Sequence, residues 1–293
     1  MFQQLKRFFI EVFREYRARF LRFWLILYGA AVLGELSWEI FLENARSVQY
    51  LRFPAPVFLD ALLNEFAARP VLVLPLLATF FFGLWGFSAL YFSFSGLSVK
   101  EAVARGLQNV HRYLGFLVLS GALTALGFLI LTAPALLVLS AFGFAPLFLN
   151  GAGLAEILPS MLVFSIPGIY LLVSLSSGPF ILLLEKKSIL EAIRESCRRV
   201  SRDWFWTGML LLCSLVLAGI AQYGLSRIMF SLKLALVPDL SFRGETSLRI
   251  FFYSIPWVIV ASFFDLAVYR VYLRLKSLSD SLYPEQKTIR KDF

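Results

Sequence analysis

Four charged side chains lie inside stretches that are otherwise apolar, and they are candidates for chemistry. They are Glu35, Glu39, Asp265 and Arg270. A charge inside the hydrocarbon of a membrane costs about 2.5–3.5 kcal/mol, so such groups often mark an ion or proton pathway. Glu35 and Glu39 are four residues apart and therefore share one helix face.

Counted from the expected ends of their helices, Glu35 and Asp265 lie at similar depths. If the two helices are neighbours, these carboxylates share a proton or a cation, because burial and like charge favour protonation of at least one of them. The alternative is that Glu35 and Glu39 face the outer membrane surface, and that a tyrosine or an arginine of a neighbouring helix binds Asp265. The sequence leaves both arrangements open.

A second set of candidates consists of arginines at the edges of the apolar stretches. These residues are Arg22, Arg112, Arg194, Arg198, Arg199 and Arg202. A long arginine side chain beside a membrane helix extends toward the lipid headgroups. Each basic residue near anionic lipid contributes about 1 kcal/mol of binding. We therefore expect these arginines to contact the phosphates of anionic lipids.

The chain lacks the residue groups on which most enzyme classes depend. It has two cysteines, Cys197 and Cys213, and one histidine, His111, too few for a disulfide framework or a cluster of metal ligands. No nucleophile elbow, phosphate loop or zinc-protease motif occurs in it. The sequence predicts a protein that is not an enzyme and that uses neither a metal nor a cofactor.

The composition is that of a membrane protein. Of the 293 residues, 59% are hydrophobic and 16% are charged, against about 25% charged residues in soluble domains. A helix needs about 20 apolar residues to cross a bilayer. Six stretches have this length, near 23–42, 70–94, 114–138, 160–184, 204–230 and 249–273. The predicted fold class is all-α, a polytopic membrane protein with six transmembrane helices.

Positive charge is distributed unequally in this arrangement. An even number of spans places both termini on one side of the membrane, and 21 of the 28 Lys and Arg residues fall on that side. Basic residues are in excess in cytoplasmic loops, so both termini are expected in the cytoplasm. The net charge of +9 then favours anionic lipid, and not nucleic acid, as the partner.

The chain contains an internal repeat with a period of 90 residues. Shifted by this length, Glu11, Glu101 and Glu191 coincide, as do the three arginines that directly precede spans one, three and five. Each repeat unit, at about 5–95, 96–185 and 186–276, is predicted to hold an amphipathic helix in the headgroup plane followed by a transmembrane hairpin. In this interpretation 1–293 is a single integral membrane domain, with 277–293 as a cytoplasmic tail.

The three amphipathic helices have two interpretations. They either fix the angle of the span that follows or form a docking surface for lipid headgroups or a protein partner. The sequence does not decide between these roles.

One apolar segment is too long for a single span. Residues 113–155 carry no charge, and as one helix they would extend about 65 Å, twice the thickness of the hydrocarbon. We expect Pro134 and the region 143–146 to break the helix. The part at 139–158 is then either a cap on the outer surface or a re-entrant turn.

The stretch from Pro167 to Trp206, PGIYLLVSLSSGPFILLLEKKSILEAIRESCRRVSRDWFW, combines a proline–glycine kink, an apolar run, a charged turn, an amphipathic helix and an aromatic pair that opens the next span. In these features it resembles bacterial six-span membrane proteins of the YciC-like group and the membrane domain of some glycerophosphodiester phosphodiesterases. The resemblance covers about 40 residues closely. It implies a multi-pass protein of the bacterial inner membrane and transfers no active-site residue.

Two functions from different classes are consistent with these observations. The first is a non-enzymatic integral membrane protein whose basic face engages anionic lipid in membrane or lipid homeostasis, or assembles with another protein or a second copy of the chain. The second is a transporter or channel for an ion or an amphiphile, with Glu35 and Asp265 as coupling groups. A common polar cavity around these two carboxylates would favour the second. An enzyme acting on lipid has the least support.

Overall fold

The computed structural model describes residues 2–44, 55–141, 165–236 and 242–282, and within them the chain is helical and contains no strand. We number the helices in chain order as α1 Phe2–Asn44, α2 Ala55–Ala68, α3 Val73–Phe94, α4 Val99–Ala141, α5 Ile166–Leu175, α6 Gly178–Leu184, α7 Ile189–Ser201, α8 Trp204–Leu236 and α9 Phe242–Leu282. A helix satisfies its backbone hydrogen bonds internally, which long apolar segments require where water is absent.

Five segments of the described residues are long and apolar enough to cross a membrane. They are Gln3–Leu42, Pro70–Phe94, Val99–Ile130, Ile166–Leu184 and Trp204–Leu232. They overlap the first five predicted spans, so the all-helical, multi-pass class is confirmed. The sixth predicted span, 249–273, lies within α9 and stays a prediction, as do the count of six and the threefold repeat.

Two of the three predicted surface helices are not separate helices. α1 and α4 each run for 43 residues without interruption, so that the amphipathic segment and the span form one helix. Only the third, α7, ends before its span, at Ser201. The residues at the junction differ in type. Phe23 and Tyr113 are buried aromatics, whereas Asp203, at the equivalent position, has a side chain of the type that starts a new helix.

Pro134 does not break α4, contrary to the prediction. It lies inside the helix, which continues to Ala141. A proline in a membrane helix removes one backbone hydrogen bond, but neighbouring groups and small backbone adjustments satisfy the freed carbonyl, so the helix continues. The other predicted break, at 143–146, and most of the segment 139–158 lie outside the described residues.

The fourth apolar segment is interrupted at a place that was not predicted. A turn at Ser176 and Ser177 separates α5 from α6, whereas Pro167, the expected kink, lies in the first turn of α5. Pro179 is the second residue of α6. Its missing N–H and its ring both oppose a continuous helix through the preceding turn.

Helix contacts group the chain into two compact units. Unit 1 combines Met1–Val110 with Cys213–Ala267, and unit 2 combines His111–Leu212 with Val268–Phe293. Each unit therefore joins segments that are far apart in the sequence. The prediction of a single integral domain is not tested by this grouping.

In unit 1, α1 and α3 pack antiparallel to one another. The rings of Phe23 and Phe94 are 4.9 Å apart, and Thr79 donates a hydrogen bond to the Gly34 carbonyl at 3.2 Å. Between these contacts lies Gly86, where an added Cβ atom would come within 2.5 Å of the facing α1 side chain. A small residue at this position allows the two backbones to approach closely.

The N-terminal part of α1 packs against α9 in the same unit. The Tyr16 hydroxyl donates to the Ile259 carbonyl at 2.9 Å and lies 3.1 Å from the Ser262 hydroxyl. The rings of Phe13 and Phe263 are 4.9 Å apart. The first and last described helices are therefore neighbours.

In unit 2, α7 lies against both halves of the interrupted segment, α5 and α6. Phe180 of α6 stacks on Tyr272 of α9, with ring centroids 5.4 Å apart. Phe116 of α4 contacts α6 at Gly178, where a side chain would collide with the ring. These contacts gather α4, α6, α7 and α9 around the polar residues described next.

Candidate functional site

A tight turn and a capping box position α7. Lys186 has a φ of 55°, in the left-handed region, where the chain turns from α6 toward α7. The Ser188 hydroxyl accepts a hydrogen bond from the Glu191 amide at 3.3 Å, and the Ser188 amide donates to the Glu191 carboxylate at 2.9 Å. These reciprocal bonds satisfy two amides that the start of a helix leaves without helical partners.

The same construction occurs at the start of α4, 90 residues earlier in the sequence. Gly96 has a φ of 91°, and Ser98 and Glu101 exchange the corresponding hydrogen bonds. The two turns thus share a residue with positive φ at the equivalent position and the same capping residues. The threefold repeat itself stays a prediction.

Helix α7 has a buried side and a basic side. On the buried side, the Ser196 hydroxyl donates to the Ser174 carbonyl at 2.6 Å and lies 2.8 Å from the Ser177 hydroxyl, at the break between α5 and α6. The remaining buried residues of the helix are Ala192, Arg199 and Val200. The exposed basic residues, including one directly after the helix, are Arg194, Arg198 and Arg202.

An ion-pair network centres on Glu185, which follows the last residue of α6. Arg199 donates two hydrogen bonds to the Glu185 carboxylate, at 2.8 and 3.0 Å, and its Nε donates to Glu195 at 2.8 Å. The Arg199 side chain is 7% exposed. The predicted lipid contact is therefore wrong for Arg199, because two carboxylates engage its guanidinium inside the protein.

Three further side chains converge on the same carboxylate. The Tyr272 hydroxyl donates to Glu185 at 2.9 Å, and the ammonium groups of Lys187 and Lys276 each lie 3.8 Å from it. Tyr272 is itself buried against the aromatic ring of α6. The network therefore connects α6, α7 and α9.

The network determines the charge state of its two central residues. Burial raises the pKa of the Glu185 carboxyl, but the hydrogen bonds and charge of Arg199, together with Tyr272 and Lys276, outweigh burial and leave the pKa below its ordinary value. Burial lowers the pKa of Arg199, and its carboxylate partners raise it above the ordinary value. Both groups are charged at neutral pH.

A cleft of about 290 Å³ lies beside this network, between the end of α7 and α9. Its lining residues are Arg199, Arg202, Asp203, Arg274, Leu275, Leu278 and Ser279. Arg274 pairs with Asp203 at 2.9 Å, and its guanidinium carbon lies 5.3 Å from the centre of the Trp206 ring. We refer to this feature as the arginine cleft.

Two of the arginines predicted to contact lipid bind backbone carbonyls. Nη1 of Arg22 donates to the Leu97 carbonyl at 3.1 Å, and Nη2 of Arg112 donates to the Lys187 carbonyl at 2.7 Å. In both pairs the acceptor comes 75 residues after the arginine, in the turn that follows α3 or α6. A carbonyl in such a turn has no helical partner, so the guanidinium stabilises the turn.

Arg202, the third equivalent arginine, has a different environment. The residue 75 positions later is Ser277, which lies inside α9. A carbonyl at that place belongs to the hydrogen-bond ladder of the helix. Because α9 continues to Leu282, the equivalent position is not a turn, and the Arg202 side chain lines the arginine cleft. The predicted tail at 277–293 accordingly begins as helix.

The two carboxylates predicted to share a site are not brought together. Asp265 is hydrogen-bonded to Tyr91 of α3, which corresponds to the tyrosine-bound alternative. Tyr16, which contacts α9 at Ser262, precedes Glu35 by 19 residues, or about 28 Å along α1. Glu35 therefore lies far along α1 from the contact between α1 and α9, because α1 meets α9 through residues that precede the predicted first span.

The other two charges predicted inside the membrane also lie within the protein. Glu39 is one turn beyond Glu35 on α1, and both are half-buried. Arg270 is half-buried on α9, in unit 2. Each of these three side chains has an interaction partner in the protein. None of them is an isolated charge in hydrocarbon.

Glu185, Arg274 and Asp203 were not predicted as site residues. Glu185 could have been recognised from its position directly after an apolar run and before two lysines. An acidic residue in such a position is expected to form ion pairs with the neighbouring basic residues. Arg274 and Asp203 are 71 residues apart and have no local signal, since only packing brings them together.

Within the described ranges, no group of three or more His, Cys, Asp and Glu side chains is arranged to hold a metal ion. Comparison of the chain with protein-family models, with curated proteins and with solved structures finds no match. The resemblance to the YciC-like group stays a prediction.

Proposed function

We propose that the chain is a non-enzymatic, multi-pass integral membrane protein that engages anionic lipid through a basic cytoplasmic surface. The observation that carries the proposal is the concentration of arginines at α7 and α9, where a cleft is lined by three arginines and α7 carries two further exposed ones, Arg194 and Arg198. Guanidinium groups bind phosphate oxygens with charge-assisted hydrogen bonds, often in bidentate form. The proposed topology has six spans, with both termini in the cytoplasm of a bacterial cell.

The position of these arginines along the chain supports the proposal. The apolar segment Trp204–Leu232 begins two residues after Arg202, and Trp204 and Trp206 open it. Tryptophan is enriched at the boundary between hydrocarbon and water. A basic surface at this level lies where lipid phosphates are found, so attraction to anionic lipid requires no further movement of the helix.

The test is lipid binding by the purified full-length chain. Native mass spectrometry in detergent measures how tightly phosphatidylglycerol and phosphatidylcholine bind. Replacing Arg194, Arg198 and Arg202 together by Gln should weaken phosphatidylglycerol binding by about tenfold or more, since each surface arginine contributes about 1 kcal/mol. Arg199 is left unchanged because its replacement would break the buried network.

The matched control is Arg227→Gln, which removes the same charge from an exposed position near the other end of α8. In the proposed topology this end faces away from the cytoplasm, so its replacement should change phosphatidylglycerol binding much less than the triple variant does. Equal binding of the anionic and the zwitterionic lipid by the unaltered chain would contradict the proposal.

A second candidate function, transport of an ion or an amphiphile, is favoured by the interruption between α5 and α6. Interrupted membrane helices commonly form the substrate sites of transporters, and here Ser177 and Ser196 meet beside the break at 2.8 Å. This form of the transport hypothesis no longer depends on Glu35 and Asp265. Its test is flux of protons and monovalent cations into proteoliposomes, with Ser196→Ala as the variant. Flux equal to that of protein-free vesicles would reject it.

A further inference from the structure

We propose that the arginine cleft is a specific site for one phosphate monoester group, bound between Arg202 and Arg274. The inference rests on the proposed function and deepens it, because general attraction to anionic lipid needs no site of defined shape. The shared chemistry is that of a terminal phosphate, whether carried by a lipid such as phosphatidic acid or by a soluble molecule.

The two outer arginines are the contacts that a ligand reaches. Arg202 is exposed, and the Arg274 side chain is 40% exposed. Arg199, at 7% exposure, is held by Glu185 and Glu195 and forms a fixed inner wall. Its hydrogen bonds to two carboxylates prevent the wall from moving when a ligand enters, so the cleft is largely preformed.

The size and lining of the cleft suit a small headgroup. A volume of about 290 Å³ lies at the lower limit of ligand pockets, which span about 300–1,000 Å³. Leu275 and Leu278 give it an apolar wall, against which the glycerol carbons of a lipid can pack. The Trp206 ring beside Arg274 places the cleft next to the apolar segment of α8.

Asp203 acts as an internal competitor for the ligand. Its carboxylate pairs with Arg274 at 2.9 Å, so an incoming anion competes with it for that guanidinium. A phosphate monoester carries about −1.5 to −2 charges at pH 7 and three acceptor oxygens, enough for both arginines. A diester has one charge and two terminal oxygens. The cleft should therefore select monoesters over diesters.

The experiment measures this selectivity on the full chain in detergent by native mass spectrometry. Phosphatidic acid supplies the monoester and phosphatidylglycerol the diester, and their ratio of dissociation constants is the readout. The unaltered chain should favour phosphatidic acid. Arg202→Gln and Arg274→Gln should each weaken its binding by about tenfold, the effect of losing one charged hydrogen-bond partner, and should bring the ratio close to one. Asp203→Asn, which removes the competing charge and keeps the side-chain shape, should strengthen binding.

The control variant is Arg105→Gln, an exposed arginine of α4 outside the cleft. It should lower the affinity for both lipids equally and leave their ratio unchanged. Thermal unfolding of each variant verifies that the fold is intact. A ratio preserved in both Arg202→Gln and Arg274→Gln would overturn the inference, even if all anionic lipids still bind better than phosphatidylcholine, which is the outcome that supports the broader proposal alone.

Two soluble probes separate the sources of the phosphate. Inorganic phosphate and glycerol 3-phosphate are added as competitors of phosphatidic acid. If they compete only at concentrations far above that of the lipid, the lipid source is supported. If they bind as tightly as the lipid and lose affinity in Arg202→Gln, the phosphate site stands and its ligand is soluble. Absence of any preference for monoesters in the unaltered chain would overturn the site.

Discussion

Replacing Arg199 by Met should destabilise the protein, because the buried carboxylate of Glu185 loses its main partner. Methionine has a similar length and fits a buried position, so the main change is electrostatic. Glu185, whose side chain is 13% exposed, loses the two hydrogen bonds at 2.8 and 3.0 Å that Arg199 donates. Glu195 loses a third, at 2.8 Å.

The expected loss follows from what stays near Glu185. Breaking a buried ion pair by removing one partner costs about 3–5 kcal/mol. Here Tyr272 still donates at 2.9 Å, and Lys187 and Lys276 stay at 3.8 Å. These groups compensate part of the unpaired negative charge of Glu185. The expected loss in the free energy of unfolding therefore lies at the lower end of the range, about 3 kcal/mol.

The measurement is reversible unfolding in mixed detergent micelles at neutral pH, followed by the loss of helical circular dichroism. Arg198→Met is the matched control. Arg198 is the neighbouring residue and pairs with the same Glu195 at 2.7 Å, but its side chain is 46% exposed. An exposed pair contributes about 0–1 kcal/mol, so the control should lose at most a third of what Arg199→Met loses.

The double variant Glu185→Met/Arg199→Met separates charge from packing. Two apolar side chains in place of a buried ion pair are often neutral or stabilising, so the double variant should be more stable than Arg199→Met alone. If Arg199→Met is no less stable than Arg198→Met, the buried network does not hold α6, α7 and α9 together. If the double variant is less stable than Arg199→Met, packing and not the unpaired charge explains the loss.

Three further predictions concern other parts of the molecule. The pKa of Glu185 lies below its ordinary value in the folded chain. The contribution of this carboxylate to the stability of the fold is therefore complete above the pKa of an unfolded glutamate, about 4.3, and is lost as the pH falls through the folded pKa. Glu185→Gln should therefore flatten the acid limb of a stability–pH curve, and an unchanged limb would exclude Glu185 as its cause. Gly106→Ala should destabilise by about 1–3 kcal/mol, since a Cβ atom there would lie 2.7 Å from the α3 backbone; Gly121→Ala, with nothing within 4 Å, should have no such effect on thermal unfolding. Arg112→Gln loses its bond to the Lys187 carbonyl and should speed proteolysis in the turn before α7, and equal cleavage rates would show that the turn holds without it.

The helices and their membrane character could be predicted because they depend on local properties. Long runs without charge are more stable in a membrane than in water. In the membrane, backbone N–H and C=O groups must bond to one another, and a helix satisfies them within a single segment. The capping pair Ser188 and Glu191 was not predicted, although its signal is local, because its hydrogen bonds join residues three apart. The start of α7 is therefore determined by the local sequence.

Helix boundaries could not be predicted, because they depend on how the packed structure offsets the helix-breaking tendency of a local residue. Pro134 was expected to end α4 and lies inside it, while the turn at Ser176 and Ser177 was not expected. A proline disfavours a helix wherever it stands. Whether the helix continues depends on whether neighbouring groups satisfy the freed carbonyl, which is a property of the packed structure.

The sequence by itself determined that this chain forms apolar helices long enough to cross a membrane, with basic residues at the edges of the apolar stretches, since hydropathy and charge act residue by residue. The tertiary structure decided what each arginine does. Arg22 and Arg112 bind turn carbonyls, Arg199 is enclosed by carboxylates, and Arg202 lines a cleft with Arg274. These arginines carry the same chemical group but have different roles, because the partner of each comes from a distant segment of the chain. Only folding determines which segment that is.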